Sequence, residues 1–258
     1  MKTNSLKDFL DTQVNKYNQF SFIEDDPICI PHQFNLKQDI EIMGLFASVF
    51  AWGQRKTIIN KCNELSNRMD NRPHDFILNH QDNDLKRLLG FKHRTFTDTD
   101  LLYFVSFLNK WYRHSESLES AFSKHFNPKD KNIEKALTGF RLLFESNDAA
   151  PRRTLKHISS PNQNSACKRL CMYLRWMVRD DDSKVDFGIW KTIKPSQLIC
   201  PLDLHVQRTA IKFGLLQREQ SDWKAALELT ENLKRFDKND PVKYDFALFG
   251  LSITPDKS

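Results

Sequence analysis

Apolar residues recur every three to four positions along most of this 258-residue chain, which is the period of an amphipathic helix. Leu6, Phe9, Leu10, Val14 and Tyr17 predict a first helix. DDPICIPHQF, with two prolines, predicts an extended connector. Asn35 with Gln38 three residues on has the form of a capping box, opening a second helix that buries Ile42, Phe46, Val49 and Phe50 and stops near Trp52 and Gly53. A third helix is expected from Lys56 to Met69, with Ile58, Ile59, Cys62 and Leu65 inward. Pro73 suits the first turn of a short fourth.

The loop FKHRTFTDTD ends in a Thr/Asp helix-start signal, and Tyr103, Phe104, Phe107 and Trp111 then follow as an inward aromatic stripe. ESLESAFSKHF and KNIEKALTGFRLLFES continue the helical period. A long connection with two prolines covers 148–166. Helices are expected at Ala166–Val178, Leu204–Phe213 and Asp222–Phe236, and a last one, capped by Asp240 and Pro241, ends at Gly250. RDDDSKVDFGIWKTIKPSQLI between them reads as irregular, its three successive aspartates as solvated. No alternating strands and no repeats appear. The expectation is an all-α protein of about eleven helices, a single domain over 1–258 with one lobe at 41–200 and a second from 1–40 plus 201–258.

Composition narrows the chemistry. No apolar run approaches the roughly 18 residues of a membrane span, and residues 1–19 lack the apolar core of a signal peptide, so a cytoplasmic location is expected. Five scattered cysteines read as buried thiols, and no spacing of Cys, His, Asp or Glu suggests a metal site. Seven glycines include no phosphate-cradling motif, which argues against a Rossmann or P-loop enzyme. The net charge of +6 is compatible with nucleic acid. Lys92-His93-Arg94 and Arg152-Arg153 read as basic loops, phosphate-holding or simply solvated.

Two residues carry most of the remaining interest. Lys168 opens the amphipathic run KRLCMYLRWMVR, and 35 residues on Asp203 stands before a helix in CPLDLHVQRTA. Taken alone, Asp203 reads as a helix N-cap and Lys168 as a solvated lysine at a helix start.

Together, three segments resemble the helix–hairpin–helix DNA glycosylase superfamily. EIMGLFASVFAWGQRKTIINKCNEL resembles that fold's early helix and the turn after it, with Gln54 at the turn's glutamine. SPNQNSACKRLCMYLRWMV resembles the hairpin end and the following helix, with Lys168 at the lysine position. CPLDLHVQRTA resembles the segment of the catalytic aspartate, here Asp203, with Arg208 on the same helix. PNQNSA stands where the superfamily has its Gly-x-Gly hairpin, and an insertion, RDDDSKVDFGIWKTIKPSQ, separates the lysine from the aspartate. AWGQR, LRWMVR and PLDLHVQR also resemble a bacterial family of conserved hypothetical proteins.

The resemblance implies a two-lobed helical bundle with an atypical hairpin. It also implies base excision from damaged duplex DNA without cofactor or metal, the alternatives being a non-catalytic DNA- or RNA-binding protein on the same fold and a helical interaction protein. Asp203 would stabilise positive charge developing on the sugar. Lys168, once neutral, would attack the anomeric carbon and form a Schiff base, allowing strand cleavage at an oxidised-purine lesion. Gln54, Arg55, Arg169 and Arg208 would contact nucleic acid, and Trp52, Trp176 and Trp190 would wall the pocket of a flipped base.

Overall fold

Twelve α-helices form among the residues that the computed structural model describes, 3–146 and 150–253. In chain order they are α1 Thr3–Tyr17, α2 Lys37–Phe50, α3 Arg55–Arg68, α4 Pro73–Asn79, α5 Asp82–Leu85, α6 Asp98–Tyr112, α7 Glu119–Ser123, α8 Glu134–Glu145, α9 Lys168–Val178, α10 Leu204–Lys212, α11 Trp223–Lys234 and α12 Tyr244–Ile253. Short 3-10 turns join several of them. Among these residues the fold is all-α apart from one antiparallel ladder of two-residue strands, β1 Lys92–His93 and β2 Phe96–Thr97, too short to show an alternating pattern. No helix among the described residues is long and apolar enough to cross a membrane. Asp148 and Ala149 of the expected connection lie outside the described residues.

The described chain divides into two compact units, one of residues 24–127 and 135–159 and one of 3–23, 128–134 and 160–253. These boundaries differ from the expected lobes. Residues 24–40 go with the first unit, because the 3-10 turns Pro27–Cys29 and Pro31–Gln33 pack on α2. Residues 160–200 go with the second, because α9 is bonded to α12 through Arg175 and Asp245.

In the first unit α2 is the central helix. Every residue from Ile40 to Phe50 is buried, not one face alone, the mark of a helix surrounded by others. Burial of Glu41 in that run is compensated by hydrogen bonds donated by Tyr112 Oη at 2.8 Å, by Leu118 N at 3.0 Å and by the Ser117 hydroxyl. Phe46, Phe50, Phe96, Phe104 and Phe144 make successive ring contacts through this core. The expected Asn35 cap is absent. The N-cap position is Leu36, with no side-chain bond, and Gln38 Nε2 donates to the Glu116 carbonyl. The basic loop is also reassigned. His93 is buried with Nε2 against the Phe50 carbonyl at 3.1 Å, and the Arg94 guanidinium lies 4.5 Å over the Trp52 ring.

In the second unit α9 has the central place, buried continuously from Leu170 to Val178. α1 packs on α12 closely enough that a Cβ at Gly250 would lie 2.2 Å from the Tyr17 ring. α10 packs on α12 as well. Asp222, where the helix was expected to begin, is the N-cap of α11 and accepts from Ala225 N. Asp240 does not cap the last helix but accepts from Arg179 Nε at 2.8 Å, and α12 runs past Gly250 to Ile253.

Candidate functional site

α9 and α10 bring together two residues that lie far apart in sequence. Lys168 is the first residue of α9 and Asp203 the N-cap of α10. Lys168 Nζ lies 3.7 Å from Asp203 Oδ2, and each side chain is about a quarter exposed, at 28% and 27%. The two oxygens of Asp203 are used differently. Oδ1 accepts from the backbone N–H groups of His205 and Val206, both at 2.9 Å, as an N-cap must. Oδ2 is left to face the lysine. The positive end of the α10 dipole favours the carboxylate, whereas Lys168 stands at the positive end of α9, against the dipole. Helix stability does not call for a lysine there.

The chain reaches Lys168 through strained backbone. PNQNSA forms a 3-10 turn at Pro161–Gln163, capped by the Ser160 side chain, and turns through Asn164 in the left-handed region (φ 54°). Asparagine tolerates this conformation. Cys167, immediately before Lys168, is also left-handed (φ 50°), which is costly for a residue with a Cβ and is found preferentially at functional positions. Non-glycine residues thus make the turns at this place. Asn164 Nδ2 donates to Asp222 Oδ2 at 3.2 Å, and Ser165 pairs with Asp222 in an isolated bridge, so the turn is anchored to the start of α11.

Beneath the pair runs a buried ionic network that the sequence reading missed. Arg175 Nε donates to Asp186 Oδ1 at 3.2 Å, and its Nη1 donates to Asp245 on α12. Arg179 donates to Asp186 Oδ2 at 3.1 Å and pairs with Asp181 at 2.5 Å, besides Asp240. Asp181, taken in sequence for a solvated aspartate, also accepts from Asn18 Nδ2 at 2.6 Å. Two guanidinium groups therefore serve four carboxylates. Burial pushes the Asp245 carboxyl up to about 6; Arg175 and Lys168 oppose the shift, and Asp203 and Asp186 add to it. Asp245 is thus electrostatically linked to both members of the exposed pair. Burial likewise raises the Cys171 and Cys200 thiols, keeping them protonated. The available signal was the pair of arginines spaced by four in the otherwise apolar LRWMVR, and a lone aspartate in YDFALFG.

The other candidates fall in different surroundings. Arg208 is exposed on α10, and Arg169 follows Lys168 on α9, where burial lowers its titration below the ordinary value while leaving it charged. Trp176 and Trp190 are core residues, 0% and 1% exposed. Trp190 packs edge-on against Tyr173, and neither ring can meet a base unless the core opens. Gln54, Arg55 and Trp52 belong to the other unit. Gln54 is exposed at the N-cap position of α3 without a capping bond, Arg55 is half-buried, and Trp52 is half-buried under Arg94. Among the described residues no group of three or more His, Cys, Asp or Glu side chains is arranged to hold a metal ion.

No curated protein and no solved structure matches this chain. One family model does, over residues 26–254. That span takes in α2 through α12, with Lys168, Asp203 and the arginine–aspartate network, and on it the chain belongs to the family described as "Protein of unknown function (DUF2400)".

Proposed function

We propose that this protein is a base-excision DNA glycosylase with Schiff-base lyase activity, acting through Lys168 and Asp203. The observation that carries the reading is the 3.7 Å approach of Lys168 Nζ to Asp203 Oδ2 at the first turns of two helices, with both groups open to solvent. An ion pair this exposed contributes only about 0–1 kcal/mol to stability, so folding alone gives little reason for the arrangement. In the proposed reaction the lysine, after giving up its proton, attacks C1′ of the damaged nucleoside. The base departs with the electron pair of the N-glycosidic bond and takes a proton. Asp203, its Oδ1 accepting from two backbone amides, stabilises the positive charge that builds on the sugar. Opening of the sugar ring gives the imine with Lys168, and β-elimination then releases the 3′ phosphate. Arg208 and Arg169 supply positive charge for the strand backbone.

Borohydride trapping tests the proposal. The protein is incubated with duplexes carrying 8-oxoguanine or an abasic site and then reduced. A covalent adduct that Lys168→Gln abolishes, with the fold intact by circular dichroism, supports the lysine as nucleophile. An adduct that persists in Lys168→Gln refutes the assignment. Salt-dependent DNA binding with neither adduct nor released base would leave a nucleic-acid-binding protein without this chemistry.

A further inference from the structure

A concavity of about 410 Å³ opens on the first unit, lined chiefly by Phe107, Lys110, Trp111, His114, Lys124 and Leu143. It belongs to the first unit, whereas Lys168 and Asp203 belong to the second, and the reading above does not use it. α6 supplies Phe107, Lys110 and Trp111, with His114 just past its end, at the spacing of a single helix face. Lys124 follows α7 as its C-cap and Leu143 comes from α8.

The floor is rigid. Phe107 is buried against Phe140 and Phe144, with ring centroids 5.9 and 5.0 Å away. The Trp111 indole N–H donates to the Ser117 carbonyl at 3.1 Å, which fixes the ring. The rim is basic. Lys110, His114 and Lys124 are exposed, and none has a carboxylate within ion-pair distance among the described residues. The acidic residues of the neighbouring helices are engaged elsewhere, Glu119 toward Lys37 and Glu145 on Arg141. A depression edged by one sign of charge over an apolar floor concentrates ligands of the opposite charge. Its volume falls in the range of roughly 300–1,000 Å³ seen for small-molecule sites.

We propose that this concavity binds an organic anion with a flat aromatic body. The ring lies against Trp111, Phe107 and Leu143, and the anionic group meets Lys110 and Lys124, with His114 beside them.

The test compares two dyes on the full chain, 1-anilinonaphthalene-8-sulfonate and its uncharged parent N-phenyl-1-naphthylamine. The folded protein is expected to bind the sulfonate saturably and about tenfold or more tighter than the parent. Lys110→Ala with Lys124→Ala should abolish that preference and leave the parent's binding unchanged. Leu143→Gln should weaken both dyes. All three positions are exposed or half-buried, so thermal midpoints close to wild type serve as the check on folding. Binding of neither dye, equal binding of the two, a preference that survives the double substitution, or indifference to Leu143→Gln would overturn the proposal.

Discussion

Asp203 has two roles that substitution can separate. Its Oδ1 satisfies two amides of α10 at 2.9 Å, and its Oδ2 faces Lys168 at 3.7 Å. Replacement by alanine removes the cap, which typically costs about 1 kcal/mol and at most about 2. It also removes an ion pair worth less than about 1 kcal/mol at this exposure. For a chain of this size, roughly 1–2 kcal/mol lowers the thermal midpoint by roughly 2–8 °C. Asparagine keeps a carbonyl oxygen for the same amides and caps about as well as aspartate, so Asp203→Asn should unfold within about 2 °C of wild type, since only the weak exposed pair is lost. The chemistry should respond differently, because a neutral amide cannot stabilise a developing cation as a carboxylate does. Both variants should fail to release base or form a trapped adduct. Differential scanning fluorimetry beside borohydride trapping gives both readouts. If Asp203→Asn is as unstable as Asp203→Ala, the capping geometry is wrong. If Asp203→Asn traps like wild type, the negative charge has no part in the reaction.

Three further predictions concern the interior of the same unit. Arg175→Met leaves Asp245 and part of Asp186 buried without a partner and should cost about 3–5 kcal/mol by chemical denaturation; a loss under about 1 kcal/mol would show the pair to be dispensable. Asp245 titrates near 3.8 when unfolded and is raised to about 6 in the fold, so the folded state holds the extra proton between those values. Its contribution is most favourable below about 3.8 and declines by roughly 3 kcal/mol as pH rises through about 6. The stability difference between Asp245→Asn and wild type should therefore move in favour of the variant from pH 4 to pH 7, and a flat difference across that range would contradict the raised value. Gly250→Ala places a methyl group 2.2 Å from the Tyr17 ring, forcing α1 and α12 apart at a cost of about 1–3 kcal/mol, readable as a lower denaturation midpoint.

Much of the helical architecture was legible without coordinates, because burying one face of a helix leaves a local, periodic trace. The bounds of α3 and α9 follow from that trace to within a residue or two. Asp203 could be read as a cap, since capping is settled by the next three residues. Signals as local as these also misled. Asn35 with Gln38 has the form of a capping box, yet α2 begins at Lys37 without one, because packing of the preceding 3-10 turns sets where that helix starts. The four-residue α5, capped by Gln81, is too short to have any period.

Tertiary structure decided what depends on distant partners. Whether Lys168 meets Asp203 rests on how α9 and α10 pack, and a separation of 35 positions leaves no local mark of it. The RDDD run looked solvated because charge in a loop usually is. Instead Asp181 and, further on, Asp186 fold back on Arg179, since a guanidinium buried at the end of α9 cannot go unpaired. The same holds for Trp176 and Trp190. Aromatic rings suit a core and a base pocket equally well in composition, and only their enclosure within the second unit shows that they serve the core.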